Sequence, residues 1–458
     1  MKNSFEHTDD PTARALSRRT VLQGLLATGG ATVALPSLFA DQAAAAIAQA
    51  TSGPIVVTIT LAGGNDGLNT VGPFSNGTYK SLRGSLAIDP SSGHSVGNGF
   101  AMHPSLRRVA TRYRRGEVAV VHGVGDPALD RSHFSSMARW QTGRTDGTIR
   151  GDGWLGRWLD SAGAGQFGGI AIGGQGVPLH LRGVHSEITD VPRNGDALFG
   201  SEISERRDQL MYRAIRRMGR GSDSGEWATR VGEINAQSVD AARSVAGAFK
   251  TRINDSERLS IDLRLAARLL NLGLGTRVLN VRQGGYDTHA SQIGTSSTSG
   301  EHSDLLSELD AAIDVFFSEV SPTLASRVVM VVYSEFGRRA AANDSRGTDH
   351  GTSSVALVIG SGVRGGHYGD PPPLNRLDDR GDFRVTTDFR RLYASVLEHI
   401  EGDASSILGG TAQVLPSLFS PVVAEAVSER DTQGRIDVIR NRRNVDPQDY
   451  LRHHTPTF

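Results

Sequence analysis

The sequence predicts an α/β protein built on a doubly wound, mostly parallel sheet, and three observations carry that expectation. Apolar, β-branched runs recur along the chain at PIVVTITL (54–61), EVAVVHGVG (117–125), GGIAIGG (168–174), RVLNVRQGG (277–285), ASRVVMVVYSE (325–335) and SVALVIGSG (354–362). Continuous runs of this kind mark strands buried on both faces, as in a parallel sheet covered by helices. Helical spacing separates them, and polar or acidic groups collect just behind the predicted strand ends, the edge at which open α/β sheets bind their ligands.

Taken in order, the chain begins with Ser17-Arg18-Arg19 and a weakly apolar segment, GLLATGGATVALPSLFA, of 17 residues. A paired arginine ahead of a Gly/Ala-rich apolar region resembles a twin-arginine export signal, and AIAQA at 46–50 offers cleavage choices. A membrane anchor needs about 20 strongly apolar residues, so this segment is too short and too glycine-rich to span. The reading is a signal peptide over 1–50, export to the periplasm or medium by the twin-arginine machinery, and no stable membrane span in the mature chain. That route carries folded proteins, which suits an enzyme that takes up its metal before crossing.

After the first strand, HPSLRRVATRYRR (103–115) has helical spacing and leads into the second. Helices are expected near Ser132 and from Gly153, where Trp154, Leu155, Trp158 and Leu159 share a face. From about 202 to 273 the pattern is helical, and it reads as an insertion on a single domain of 51–424. Helices are also expected at 301–318 and 388–401. The last residues, 425–458, are charged and poor in core residues, so they read as a surface tail in which His453 and His454 are solvated.

Composition narrows the partners. In 458 residues Lys+Arg and Asp+Glu both total 49, so the formal net charge is zero and no field draws nucleic acid. Cysteine is absent, which excludes disulfides, thiolate metal sites and a cysteine nucleophile.

The chemistry is expected at the strand ends. Gly63-Gly64-Asn65-Asp66 closes the first strand, Asp130-Arg131-Ser132-His133-Phe134 follows the second, Tyr286-Asp287-Thr288-His289 another, and Ser334-Glu335 and then Asp349-His350 the next. Asp66, Asp287, His289, Glu335, Asp349 and His350 form a mixed oxygen and nitrogen set suited to one or two divalent metal ions, Zn, Mn, Mg or Ca. Two ions could hold the attacking and leaving oxygens of an in-line displacement. Ser132 opens a helix, where it reads either as a nucleophile or as a plain N-cap. Arg131 and Arg338 read either as charges on a phosphoryl group or as surface residues. Asp66 equally fits a glycine turn, and Asn69, Asn343 and His367 fit loop-stabilising roles.

GGNDGLN, RSHF, GWLGR, YDTH, SEFGRR and GTDHG, in this order behind the export signal, resemble the exported bacterial proteins of the domain of unknown function 1501 (DUF1501) family over about residues 54–415. The resemblance implies an alkaline phosphatase-like or sulfatase-like fold. It implies that Asp66 is the first metal ligand, Ser132 the nucleophile, Asp287 and His289 a ligand pair and His350 a closing ligand. Glu335 falls where that superfamily has an Asp-His pair, with Phe336 in the histidine's place, so one metal site is expected to be weaker, rebuilt around Asp349, or absent. The Cys/Ser-x-Pro-x-Arg segment of sulfatases is missing after Ser135. The expectation is therefore a metal-dependent hydrolase of small or polymer-borne phosphate esters ahead of sulfate esters; the alternative is a non-catalytic exported binding or scaffold protein retaining the fold.

Overall fold

The computed structural model describes residues 53–128, 130–144, 151–194, 210–211, 213–214, 217, 226–410 and 412–420. The expected signal at 1–50 and tail at 425–458 lie outside them, as does much of 202–225.

The predicted apolar runs all become strands of one nine-stranded sheet. In chain order they are β1 (Ile55–Leu61), β2 (Val118–Gly125), β3 (Gly169–Ile172), β4 (Ile188–Val191), β5 (Val278–Gln283), β6 (Val328–Tyr333), β7 (Ser354–Ile359), β8 (Gly366–Tyr368) and β9 (Thr387–Asp388). Their order across the sheet is β8-β2-β7-β6-β1-β5-β3-β4, with β9 beside β2. The pairs β1–β5, β1–β6, β3–β5, β3–β4, β2–β8 and β2–β9 are parallel, and β7 runs antiparallel to both β2 and β6. The doubly wound, mostly parallel sheet is therefore as expected, with one reversed strand.

Burial on both faces explains the unbroken apolar runs. Every residue of β1 is buried, and its neighbours divide between two cores. Ile55, Val57, Ile59 and Leu61 face one side with Leu263, Leu270, Leu309 and Phe316. Val56 faces the other with Trp154, Trp158, Leu392 and Val396. Strand side chains alternate between faces, so each β1 run needs apolar residues at both phases.

The helices supply those two layers: α1 (Arg107–Arg114), α2 (His133–Thr142), α3 (Trp154–Ser161), α4 (Glu226–Val245), α5 (Arg258–Asn271), α6 (Glu301–Glu319) and α7 (Phe389–His399). The segment read as an insertion ends in α5, whose Leu263, Leu265, Leu269 and Leu270 are packed in the first core, so α5 is a layer of the sheet itself. A separate three-stranded sheet, Val71–Gly72, His94–Gly97 and Phe100–Met102, sits between β1 and α1 in sequence. Among the described residues no helix is long and apolar enough to cross a membrane.

The reversed strand matters for the site. The C-terminal ends of β1, β5 and β6 share one edge because these strands are parallel, whereas antiparallel β7 brings its N-terminal end there. The residues just before β7, Asp349 and His350, are thereby delivered to the edge that Asp287 and Glu335 reach from behind their strands.

Candidate metal centre

Three imidazoles and a carboxylate converge at this edge. Oδ1 of Asp287 lies 2.9 Å from Nε2 of His350 and 3.1 Å from Nε2 of His289, and the two Nε2 atoms are 2.9 Å apart. His133, at the first position of α2, brings its Nε2 to 3.4 Å from Oδ2 of Asp287. One ligand atom from each of His133, Asp287 and His350 lies within 4.8 Å of the other two.

The partners at Nδ1 decide what these rings offer. His350 Nδ1 stands 3.1 Å from the carbonyl of Arg131, which can only accept, so this nitrogen carries the proton. His289 Nδ1 faces Oδ1 of Asp349 at 3.1 Å, and His133 Nδ1 faces Oε1 of Glu335 at 2.8 Å. Each neutral ring therefore directs an Nε2 lone pair at the Asp287 carboxylate, which also has lone pairs to share. Lone pairs packed this closely repel unless a proton or cation lies between them. His133 Nε2 is moreover buried without a hydrogen-bond partner. Imidazoles held through Nδ1 by a carboxylate or carbonyl are the usual way a protein presents metal ligands, and the residues fit a divalent cation on these grounds.

The charges agree with this arrangement. Partial burial pushes the Asp287 carboxyl up, but the hydrogen bond and the charge of Arg338 outweigh it and hold the group below its ordinary range. For Glu335, burial pushes up and the bonds from His133, Gly63 N–H and Ser334 prevail, keeping it ionised below its ordinary range. The hydrogen bond to Glu335 raises His133, whereas burial lowers His350.

The expected site residues thus take different places. Asp287, His289 and His350 come together. Glu335 and Asp349, expected as ligands, instead hold the rings of His133 and His289. Glu335 has both oxygens engaged, Oε1 by Gly63 N–H and His133, Oε2 by Ser334. Asp349 also accepts from Asn343 Nδ2 at 3.2 Å, and Asn343 Nδ2 lies 2.8 Å from the His289 carbonyl.

Asp66, expected as the first ligand, lies elsewhere. It is buried with both oxygens on the guanidinium of Arg83, at 2.7 and 3.0 Å, and accepts from Gln292 Nε2 at 2.6 Å and from Asn69 N–H at 3.3 Å. Burial pushes this carboxyl up, and Arg83, His302 and Gln292 outweigh it, so Asp66 stays charged inside a saturated network. A glycine-flanked Asp at a strand end carries no sign that an arginine 17 residues on will claim it.

The two arginines are likewise reassigned. Arg338 is buried and donates to the carbonyls of Gly64, Thr348, Gly63 and Tyr286 and to Oδ1 of Asp287 at 2.7 Å, so it fastens three strand-end loops under the carboxylate and does not face the crevice. Arg131 sends its guanidinium to Asp382 and Asp378 and contributes its carbonyl to His350. Ser132 is the exposed N-cap of α2, its hydroxyl makes no capping bond, and it does not line the crevice.

His133 is the residue the sequence reading passed over. The available signal was its position in RSHF, where the residue after an N-cap enters the helix facing the strand-end edge. Phe336, in the place of a histidine, is buried with its ring 4.9 Å from His133 and 4.8 Å from His350, which are themselves 4.4 Å apart, so it backs the pair as an apolar wall. The cluster opens on a crevice of about 540 Å³ lined by His133, Phe134, Met137, Arg282, Asp287 and Glu335 among others.

Comparison with known proteins gives three findings. No curated protein matches the chain in sequence. Solved structures similar to it include a protein in the alkaline phosphatase superfamily from Vibrio parahaemolyticus (10% identity, 78% of this chain and 69% of that one, TM-score 0.34). They also include a sulfatase from Pseudoalteromonas sp. (10% identity, 82% and 76%, TM-score 0.36) and a phosphonate monoester hydrolase from Silicibacter pomeroyi (8% identity, 79% and 77%, TM-score 0.35). At these identities the likeness concerns the fold alone. The model of a protein of unknown function, DUF1501, matches residues 212–406, a span that contains YDTH, SEFGRR and GTDHG and hence three of the four converging side chains.

Proposed function

We propose that this chain is an exported, metal-dependent hydrolase of phosphate esters, with sulfate esters as poorer substrates. The carrying observation is the convergence of His133, His289 and His350 Nε2 on the carboxylate of Asp287, each ring held through Nδ1. A donor set of three imidazoles and one carboxylate suits zinc or manganese better than magnesium or calcium, which prefer oxygen. It supports one ion, because Asp66 is committed to Arg83.

A bound divalent cation supplies Lewis acidity towards an ester oxygen. The chain's own part is to hold that position. Glu335, Asp349 and the Arg131 carbonyl fix the three rings, Arg338 fixes Asp287, and Phe336 packs behind His133 and His350. Hydrolysis takes up one water and breaks the bond between phosphorus and the alcohol oxygen, leaving phosphate and alcohol. In the reading from the sequence Ser132 makes the attack; the exposure of Ser132 outside the crevice favours a second reading in which water attacks and Ser132 is dispensable. Export by the twin-arginine route, a single domain over 51–424, and a surface tail beyond it belong to the same proposal.

The test is metal analysis of the purified mature protein, with turnover of aryl phosphate and aryl sulfate by wild type, Ser132→Ala and Asp287→Asn. Bound metal and turnover lost only in Asp287→Asn support the water reading; loss in both supports serine. A protein that binds no metal after reconstitution, with the three forms equally inactive, overturns the proposal in favour of a non-catalytic binding protein.

A further inference from the structure

The metal crevice is one end of a longer cavity. A second space of about 580 Å³ adjoins it, and Gln141, Pro178, Leu179, Asn280 and Arg282 line both. The two ends have opposite character. The walls at the metal end include Asp287 and Glu335, whereas the far end has Arg182 and Arg193 and no acidic side chain, with Arg282 at the junction of the two.

Two of these three charges are free to act on a ligand. Arg193 is committed to buried Asp262, with hydrogen bonds of 2.7 and 2.8 Å. Arg182 spends only its Nε, on the carbonyl of Val177 at 2.9 Å. Arg282 is exposed, and among the described residues neither it nor Arg182 has a carboxylate partner. Strand alternation fixes Arg282 in this position, because it follows Asn280 by two residues on β5 and both point to the same face, opposite Thr60 and Thr58 of β1. Asn280 donates to Thr58 Oγ1 at 3.0 Å and is itself held in place.

We propose that the far end is a subsite for a second anionic group, a carboxylate, sulfate or phosphate, carried on the alcohol half of the ester, bound by Arg182 and Arg282. Arginine pairs with such groups through two parallel N–H bonds, and a pair of them in a half-enclosed space binds a dianion in preference to a monoanion. The inference rests on the hydrolase reading for its orientation, the scissile ester at the histidine end and the leaving group towards the arginines.

The experiment has two arms. Calorimetric titration compares benzene-1,4-disulfonate with benzenesulfonate in the wild type, Arg282→Gln and Arg182→Gln. The expected result is that the disulfonate binds about ten- to a hundredfold more tightly in the wild type, the weight of one charged hydrogen-bonded pair, and that each variant brings this ratio close to one. Turnover then compares an aryl phosphate with the same ester bearing a ring carboxylate. The variants should raise KM for the carboxylated ester by about tenfold with kcat within about twofold, and should change the plain ester far less. Equal binding of the two sulfonates, or variants that shift both esters alike, overturns the subsite. If neither ester turns over, the hydrolase reading falls while the titration still decides the subsite.

Discussion

Two aspartates at neighbouring strand ends should respond oppositely to the same substitution. Asp66 and Arg83 are both fully buried, with a shortest contact of 2.7 Å. At an effective dielectric of 20 their attraction is about 6 kcal/mol, set against the cost of drying both ions. Asp66→Asn removes the charge and leaves the guanidinium of Arg83 buried and unpaired. The loss expected from breaking such a pair is about 3–5 kcal/mol of unfolding free energy. Asp287 is half exposed, and Asp287→Asn keeps an Oδ1 acceptor for Arg338, which retains four carbonyl partners besides. Its stability cost should be smaller, about 1–2 kcal/mol, because water screens the half-exposed carboxylate and the carbonyls keep the buried guanidinium hydrogen-bonded. Metal content should follow the reverse order, with Asp66→Asn binding the cation normally once folded and Asp287→Asn losing it. Denaturant unfolding together with metal analysis of the folded fraction measures both. A stable Asp66→Asn that has lost its metal would refute the geometry argued for this carboxylate.

Other consequences are equally open to measurement. Glu335→Gln removes the charge facing His133 Nδ1 and should weaken metal binding by about 10- to 100-fold, read by competition with a chelator, with little change in the circular dichroism spectrum. Gly64 has φ +78°, and a Cβ there would sit 2.4 Å from the ring of Phe336. Gly64→Ala should therefore cost about 1–3 kcal/mol and disturb the apolar wall behind His133 and His350. Burial pushes His180 down to about 3 and His399 to about 4, from the ordinary 6.5. The unfolded chain then binds more protons than the folded one below 6.5, so the stability due to these neutral rings is complete above that pH and is lost as pH falls towards 4. Each contributes a slope of about 1.4 kcal/mol per pH unit, and His399→Gln should reduce the measured slope between pH 6 and 5 by about that amount. An unchanged slope would show that His399 is already protonated in the folded chain.

What the sequence determined by itself is the set of buried strands and the edge at which their loops meet. Apolar periodicity is a property of neighbouring residues, so β1, β2, β5, β6 and β7 could be read directly, and with them the loops bearing Asp287, His289 and His350. The direction of β7 was not legible, because an apolar run looks alike in either orientation; pairing with β2 and β6 decided it and thereby brought Asp349 and His350 to the site. The division of labour among the polar residues was also tertiary. Whether a carboxylate binds a cation or steadies a ring depends on what lies across the loop, and the decisive partners are remote: Glu335 meets His133 from 202 residues away, and Asp66 meets Gln292 from 226. The place of His133 was illegible for the same reason. Ser132 and His133 both open α2, and only the fold shows that the serine is left in solvent while the histidine turns to Asp287 and Glu335.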